Sequence, residues 1–464
     1  MRTATIALSA LLSLAAVAGA QTNQAEAIEG ARVRVVLETT SDWTRVRFPE
    51  PVEWTALDLA ASGEGAERAT VGPLFVHKEA YDESPVTVEA TLLLSNVPEG
   101  TFEIEVTKGD VGETRIVLSN SNREEAVEVA RLVHDGKVPG DPKNPRALSI
   151  ETARLLDGGP VRIEIPPPRC AKKALAFYYP WYGTPQGPTG RWFHWDPAAR
   201  RHASTHTPAR GYYDSHDPEV VRAHATQARA AGLDGFVSSW WGPGDFTDRV
   251  LPTILAECER GGLVATVYVE TAKGAEDLAR QLEYVLDTYG GHKAFLKIDE
   301  KPAIFVYGRV LGEVGREGIA KALAALREKG KEGFYVGDSL DPSWLEIFQG
   351  LHTYNPVFDE PRALGSAYRG TAFACRRREA LFAATVVPGY DDTFVRDPGG
   401  EKGRDEGRLY DAFWEAALAS RPDLVLVTSW NEWHEGSEIE PSTELGEAYL
   451  DRTRRWVEEW KGSK

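Results

Sequence analysis

The chain has 464 residues, of which 42% are hydrophobic and 27% are charged, so it can bury the cores of two domains or of one large barrel with an appendage. Its formal net charge of −17 argues against binding to nucleic acid or to an anionic membrane surface, because both need clustered lysine and arginine. Thirteen tryptophans favour a carbohydrate ligand, since an indole can stack on the apolar face of a sugar ring.

Residues 1–20 have the pattern of a secretory signal peptide. An early arginine is followed by an apolar run and by the small residues Ala18-Gly19-Ala20. This predicts a secreted mature protein, periplasmic or extracellular. No other stretch is long and apolar enough for a membrane span.

The cysteine content is low. Cys170, Cys258 and Cys375 are an odd number and lack a metal-ligand spacing, so we expect a fold that does not depend on disulfides. Nothing else in the chain indicates a metal or another cofactor, and we expect neither.

The region 28–168 predicts a β-sandwich of immunoglobulin-like or carbohydrate-binding-like type. Short alternating or apolar segments separated by turn signals occupy 32–38, 43–48, 86–94, 101–107, 114–119 and 161–165. Residues 123–136 predict one short helix, and Pro166-Pro167-Pro168 predicts a stiff boundary. A passive packing role is favoured over glycan binding.

From residue 172 to 464 strands alternate with helices. The predicted strands are 174–181, 234–241, 264–270, 302–308, 333–339, 350–356, 383–390 and 424–430. Eight strand–helix units predict an α/β fold of the (β/α)₈ TIM-barrel class. An open doubly wound sheet is the alternative, and it is disfavoured because no glycine-rich phosphate loop follows the first strand.

The predicted strands end in aromatic and acidic residues rather than in turn residues. The last strand runs directly into Trp430, Asn431, Glu432, Trp433, His434 and Glu435. The other strand ends and the loops behind them supply Tyr179, Trp181, His194, Trp195, Trp240, Trp241, Glu270, Tyr354, Tyr390 and Asp391. All eight ends of a barrel meet at one mouth, so these side chains should lie together. Stacking surfaces and paired carboxyl groups are what glycoside hydrolysis needs.

Four segments resemble motifs of glycoside hydrolase family 99. They are FYYPWYGTP with the following GRWFHW, then GLDGFVSSWWG, PGYDDTFVR and TSWNEWHEGSEIEP. The resemblance extends from about residue 174 to 464 and leaves the predicted sandwich uncovered. It implies an endo-acting α-mannosidase on a (β/α)₈ barrel. It also implies retention of configuration through an anhydro-sugar, with one glutamate assisting attack by the substrate 2-hydroxyl and another acting as acid and then base.

The resemblance places a catalytic segment of the form His-x-Glu-Pro-Tyr-Glu at VYVETAK. Glu270 then matches the first glutamate, whereas Tyr268 replaces the histidine and Lys273 replaces the second glutamate. Because a charged lysine is a poor general acid, Glu432 and Glu435 are the predicted substitutes.

The same comparison implies binding roles for the remaining residues. Tyr179, Trp181, His194 and Trp195 would form the floor of the sugar site, with Trp240 and Trp241 beside them. Asn431 and Glu432 would hold ring hydroxyls. The aromatic residues could instead be barrel packing, and we expect part of them to be core.

The leading hypothesis is therefore a secreted glycoside hydrolase that acts on an α-linked, mannan-like oligo- or polysaccharide. Glu270 would be one catalytic carboxylate, and Glu432 or Glu435 would be the other. The alternative is a glycan-binding protein that has lost the second catalytic glutamate. A metal-dependent hydrolase using His352 and His434 is disfavoured, because the ligand spacings match no zinc motif. A sugar transferase is disfavoured because a secreted protein is remote from activated nucleotide sugars.

Overall fold

The computed structural model describes residues 26–66, 69–72, 74–78, 84–109, 112–122, 125–135, 145–165 and 168–463. The predicted signal peptide at 1–20 and the prolines Pro166 and Pro167 lie outside the described residues. Within these ranges no helix is long and apolar enough to cross a membrane.

The N-terminal unit consists of two antiparallel sheets. Its elements are β1 (Glu26–Thr39), β2 (Trp43–Arg47), β3 (Glu53–Ser62), β4 (Ala69–Gly72), β5 (Phe75–Lys78), β6 (Val86–Ser95), β7 (Thr101–Lys108), β8 (Thr114–Asn120), β9 (Val127–His134), β10 (Arg146–Glu151), the one-turn helix α1 (Thr152–Leu155) and β11 (Val161–Ile165). One sheet has the order β3-β6-β1-β8-β9, with β11 paired to β1, and the other has the order β10-β7-β2-β5-β4.

Side chains from both sheets form one apolar core. Val35 and Leu118 of the first sheet belong to the same buried cluster as Ile104 and Ile150 of the second. Burial alternates along β7 and β8 as the pleat requires. Each sheet therefore turns one face towards the other.

The prediction of a helix at 123–136 is wrong, because residues Val127–His134 of this segment form strand β9. Its residues pair antiparallel with β8, from Asn120 opposite Val127 to Thr114 opposite His134. The valines at 127, 129 and 133 lie two or four residues apart, which suits a pleated strand, and pairing with β8 outweighs the helix propensity of the neighbouring glutamate, alanine and arginine. The sequence prediction also missed β3, β4, β5 and β10.

The C-terminal unit is a closed barrel of eight parallel strands with helices around it, as predicted. Its elements are β12 (Lys173–Tyr178), α2 (Pro218–Ala230), β13 (Gly235–Trp240), α3 (Phe246–Gly261), β14 (Val264–Val269), α4 (Ala275–Thr288), β15 (Lys297–Ile298), β16 (Lys301–Val306), α5 (Gly308–Glu328), β17 (Phe334–Asp338), β18 (Gly350–His352), α6 (Pro361–Arg377), β19 (Leu381–Val386), β20 (Tyr390–Asp391), β21 (Glu401–Lys402), α7 (Arg408–Ala419), β22 (Leu424–Val427) and α8 (Ala448–Gly462). The order β12-β13-β14-β16-β17-β18-β19-β22 closes because β22 pairs with β12.

The barrel strands are buried on both faces, which explains their continuous apolar sequences. Leu175, Val237 and Phe305 belong to a cluster that fills the interior, whereas Ala176 and Phe236 belong to a second cluster under the helices. The strands are therefore fixed on two sides, and their carboxyl ends are held rigidly at the mouth.

The N-terminal unit packs on helix α6. Arg362 forms an ion pair with Glu50 at 2.6 Å, and its guanidinium donates to the carbonyl of Val52 at 3.4 Å. A Cβ atom at Gly370 would lie 3.2 Å from the Cβ of Ala56, so this glycine permits the close approach of α6 to β3. The two units thus meet beside the loop that leads into α6.

The three cysteines are free thiols. Burial raises the pKa of Cys170 and of Cys258 to about 12, and it raises the pKa of Cys375 as well. The fold forms without a disulfide between them.

Candidate active site

Three glutamates meet at the mouth of the barrel. Glu270 follows β14, and Glu432 and Glu435 lie in the loop that follows β22. The charge of Glu435 raises the pKa of both other glutamates, and the charge of Glu270 raises that of Glu432. The sequence prediction brought these three residues together, and the structure places them within electrostatic reach of one another.

Glu270 is 4% exposed, and its carboxylate accepts a hydrogen bond of 2.7 Å from the hydroxyl of Ser239. Burial raises its pKa to about 7, although the Ser239 hydrogen bond and the guanidinium of Arg309 both lower it. Glu270 therefore changes charge near neutral pH.

Glu432 is 3% exposed and is fixed through its backbone. Its N–H donates to the hydroxyl of Ser429 at 2.7 Å, and its Oε1 accepts from the backbone N–H of His434 at 3.3 Å. Its buried Oε2 has no hydrogen-bond partner among the described residues. Burial, followed by the charge of Glu435, raises the pKa of Glu432 well above its ordinary value.

Glu435 is held by a cation and a phenol. Arg396 donates to its Oε1 at 3.0 Å, and the hydroxyl of Tyr354 donates to its Oε2 at 3.4 Å. Tyr354 in turn accepts from the hydroxyl of Tyr179 at 2.5 Å. Burial raises the pKa of Glu435, and Arg396 opposes the shift. Burial thus favours the protonated form of both carboxyls, whereas Arg396 favours the charged form of Glu435.

An aromatic wall stands beside the glutamates. The rings of Trp181 and His194 are stacked 4.5 Å apart and 5° from parallel, and the ring of His434 lies 6.0 Å beyond His194. Burial lowers the pKa of His434 to about 4, so this imidazole is neutral at neutral pH. The Trp181 indole acts on the hydroxyl of Tyr182, and the backbone of His202 and of His194 acts on the His434 imidazole, so both groups have polar neighbours within the protein.

Trp241 extends this wall towards solvent. It is 36% exposed, and the guanidinium of Arg309 lies 5.4 Å from its ring centroid. Its indole N–H donates to Ser239 at 3.1 Å, the same hydroxyl that binds Glu270. The exposed indole face is suited to stacking on a sugar.

Tyr390 and Asp391 support the site from the loop after β19. The hydroxyl of Tyr390 donates to Asp392 at 2.6 Å and accepts from Arg396 at 2.6 Å, which orients the guanidinium towards Glu435. The backbone N–H of Asp391 donates to the carbonyl of Glu435 at 2.7 Å, and its half-buried carboxylate accepts from Thr393.

Four predicted substrate-binding residues are core residues in the structure. Trp195, Trp240, Asn431 and Trp433 are at most 2% exposed. The three indole N–H groups donate to Tyr213 or Asp248, and the Asn431 amide bonds to the backbone of Tyr179. Their polar atoms are already used within the protein, which suits them to positioning of the mouth, and their contact with a sugar stays a prediction.

Sequence reasoning missed a buried polar network behind the last strand. Glu440 accepts from the hydroxyl of Tyr213 at 2.8 Å, and its other oxygen lies 2.9 Å from His224 Nε2. His224 Nδ1 is 3.0 Å from the hydroxyl of Tyr178. Two signals were available: Glu440 is the second-last residue of the TSWNEWHEGSEIEP motif, and His224 lies on the apolar face of α2.

Lys273 does not take the place of a carboxylate in this cluster. Its side chain is exposed on the loop before α4, and the cation that acts on Glu270 is Arg309. Tyr268 is buried and donates to Asp338 at 3.0 Å. The substitutions in VYVETAK therefore leave the three glutamates without an added charge from position 273.

The described residues contain no group of three or more His, Cys, Asp or Glu side chains placed to hold a metal ion. His352 is enclosed by aromatic rings, with those of Phe305 and Tyr268 at 5.3 and 5.7 Å. The alternative of a metal-dependent hydrolase thus has no ligand set in this part of the chain.

Comparison with known proteins identifies the family of the barrel. The model of glycosyl hydrolase family 99 matches residues 170–461. The chain belongs to this family. The resemblance inferred from the four sequence motifs is therefore confirmed, and the N-terminal unit lies outside the matched region.

Curated relatives and a solved structure agree with this assignment. The chain is 29% identical to a mouse glycoprotein endo-α-1,2-mannosidase-like protein, over 61% of this chain and 75% of the relative, and 28% identical to a Xenopus laevis glycoprotein endo-α-1,2-mannosidase, over 65% and 79%. A Bacteroides thetaiotaomicron GH99 endo-α-mannosidase in complex with Bis-Tris-propane is 28% identical and superposes with a TM-score of 0.57, covering 63% of this chain and 98% of that one.

Proposed function

We propose that this family 99 protein is a secreted endo-acting glycoside hydrolase that cleaves α-mannosyl glycans, with Glu432 and Glu435 as its acid–base pair. The observation that carries the proposal is the pair of buried carboxyls in the loop after β22. The names of the relatives support the α-mannosyl substrate.

The pair meets the chemical requirement of glycosidic cleavage. One carboxylic acid must protonate the leaving oxygen while one carboxylate takes a proton from the attacking hydroxyl. Burial and the charge of Glu435 favour the protonated form of Glu432, whereas Arg396 favours the charged form of Glu435. The unpartnered Oε2 of Glu432 and the Arg396-bound carboxylate of Glu435 are therefore supplied in complementary states.

Glu270 has a different part in this proposal. The position three residues after it is an exposed lysine, so its own segment supplies no second carboxyl. Held by Ser239 and close to the aromatic wall, Glu270 is suited to accept a hydrogen bond from a sugar hydroxyl. This proposal moves Glu270 from the catalytic role predicted from the sequence to substrate contact, and it assigns both proton transfers to the other two glutamates.

The test is the release of reducing ends from a panel of α-mannans, α-glucans and host glycans. Glu432→Gln and Glu435→Gln should each lower kcat by about 10³-fold, because each removes a proton-transferring group. Retention on a glycan affinity column should persist. Glu276→Gln, an exposed glutamate on α4, is the matched control and should behave as wild type.

Two outcomes contradict the proposal. Full activity of either variant would remove that glutamate from the proton-transfer pair. No turnover of any glycan by the wild-type protein, with glycan still retained on the column, would favour the binding-protein alternative.

We further propose that residues 1–20 are a signal peptide and that 28–168 form a β-sandwich with a packing role. The shared core of the two sheets and their contact with α6 support the second point. Mass spectrometry of protein exported by a bacterial host should show an N-terminus at Gln21, and retention of Met1 would exclude cleavage there.

A further inference from the structure

The exposed apolar side chains of the barrel are concentrated at its mouth. Among the described barrel residues, the exposed large hydrophobics are Trp241, Phe358 and Val395, with 36, 61 and 43% of their surface accessible. They lie in the loops after β13, β18 and β19 respectively. Single exposed apolar residues are normal, but their restriction to the face that carries the glutamates calls for a functional reason.

Phe358 and Trp241 lie on opposite sides of this mouth. β13 and β18 are the second and sixth of the eight strands in barrel order. Strands four places apart in a closed ring of eight are diametrically opposed. A glycan that crosses the catalytic glutamates from Trp241 therefore reaches the side of the barrel on which Phe358 is exposed.

The ring of Phe358 is held in place. It lies 5.5 Å from the ring of Tyr390 at an angle of 70°, and a Cβ atom at Gly400 would lie 2.9 Å from its Cζ. The preceding residue, Val357, is fully buried against Val387 and Tyr390. One edge of the ring thus contacts the protein while most of the side chain remains accessible.

The loop that carries Phe358 is anchored at the start of α6. Glu360 caps this helix, since its carboxylate accepts from the N–H of Ala363 at 2.8 Å. Arg362, in the first turn, binds Glu50 of the N-terminal unit. A ring on an anchored loop loses little conformational freedom on binding, which favours its use as a binding platform.

Phe358 is also linked to the catalytic pair through side chains. Tyr390, which its ring contacts, bonds to Arg396, and Arg396 bonds to Glu435. Two side chains therefore separate the ring of Phe358 from Glu435, so the platform lies outside the catalytic pair.

We propose that Phe358 is the stacking platform of a distal sugar subsite, which binds a pyranose residue of the same glycan chain on the side of the mouth opposite Trp241. The inference rests on the proposed glycan-cleaving function and adds a position at which chain length is recognised. The N-terminal unit contributes indirectly, because it holds the helix that follows the platform.

The test compares Phe358→Ala with Phe75→Ala on α-mannosyl oligosaccharides of increasing length. Phe75 is a matched control because it is a 37% exposed phenylalanine of the N-terminal unit. Phe358→Ala should raise KM about tenfold for the longest substrates, because it removes one stacking contact, and should leave kcat/KM for the shortest cleaved substrate unchanged. Phe75→Ala should match wild type at every length.

The proposal would be overturned if Phe358→Ala and Phe75→Ala changed KM equally at every substrate length. It would also be overturned if Phe358→Ala lowered kcat/KM equally for short and long substrates. If the wild-type protein cleaves none of these sugars, calorimetric binding of the same oligosaccharides replaces kinetics. Weaker binding of long chains alone by Phe358→Ala would then support the subsite although the hydrolase proposal had failed. Binding without any length dependence would exclude the subsite.

Discussion

Asn431 and Tyr179 form a reciprocal pair of hydrogen bonds just beyond the ends of the last and the first barrel strands. The N–H of Tyr179 donates to the Asn431 amide oxygen at 2.7 Å, and the Asn431 amide nitrogen donates to the Tyr179 carbonyl at 3.0 Å. The Asn431 side chain thus takes the place of backbone hydrogen bonds beyond β22, where the chain leaves the sheet. It aligns the loop that carries Glu432 and Glu435 with the strand that carries Tyr179.

Asn431→Ala should therefore lower the free energy of unfolding by about 2–4 kcal/mol, because it leaves a buried N–H and a buried carbonyl without partners. Urea denaturation of wild type and variant measures this difference. An unchanged midpoint would show that water or a shifted backbone replaces the amide.

Glu270 should make stability depend on pH. Burial raises its pKa from the ordinary 4.5 to about 7, so between these values the folded protein keeps a proton that the unfolded chain has released. Its contribution to the free energy of unfolding is complete below about pH 4.5 and decreases as the pH rises to about 7, by about 3 kcal/mol in total.

Urea denaturation at about pH 5 and about pH 8 tests this linkage. The free energy of unfolding of Glu270→Gln should decrease less between these two pH values than that of wild type. The decrease for Glu276→Gln should equal that of wild type. If the free energy of unfolding depended on pH equally in Glu270→Gln and in wild type, the proton would belong to another group.

Arg396 should set the acidic limb of the rate profile. Its guanidinium lowers the pKa of Glu435 against the effect of burial. Arg396→Gln removes that opposition, so the pH at which kcat/KM reaches half of its maximum on the acidic side should rise by about one pH unit or more. Arg309→Gln should shift this pH of half-maximal kcat/KM less, because Arg309 acts on Glu270 rather than on Glu435.

Glu440 should stabilise the catalytic loop without touching substrate. It is buried between His224 and Tyr213, so Glu440→Ala should lower the free energy of unfolding by about 3–5 kcal/mol. The glutamine of Glu440→Gln can still accept a hydrogen bond from Tyr213, so its free energy of unfolding should decrease much less. Equal losses in the two variants would indicate that the charge, rather than the hydrogen bond, is what the network requires.

The barrel and its three glutamates could be predicted because their signals are local. Continuous apolar strands bounded by glycine and proline mark the parallel sheet, and closure alone brings Glu270 to Glu432 and Glu435. The direction in which each side chain points could not be predicted from these signals. Trp240 and Trp241 are neighbours in sequence, yet one is core and the other is exposed, and the pattern of residue types is the same for both.

The missed features depend on contacts between distant segments. Strand β9 contains glutamate, alanine and arginine that favour a helix, and only its pairing with β8 makes it a strand. His224 and Glu440 are 216 residues apart, so neither position by itself indicates their side-chain contact. Phe358 follows a strand end by a few residues, but exposure on an anchored loop is a property of the folded chain.

The native thiols are expected to react slowly, which makes the natural chain a suitable background for site-directed labelling. Because the pKa of Cys170 and of Cys258 is about 12, and that of Cys375 is raised too, little thiolate is present at neutral pH to react with maleimides. A single exposed thiol introduced by Val395→Cys would carry a fluorophore at the rim of the mouth without prior removal of the native cysteines. Arrival of a glycan beside the dye could then be followed in real time.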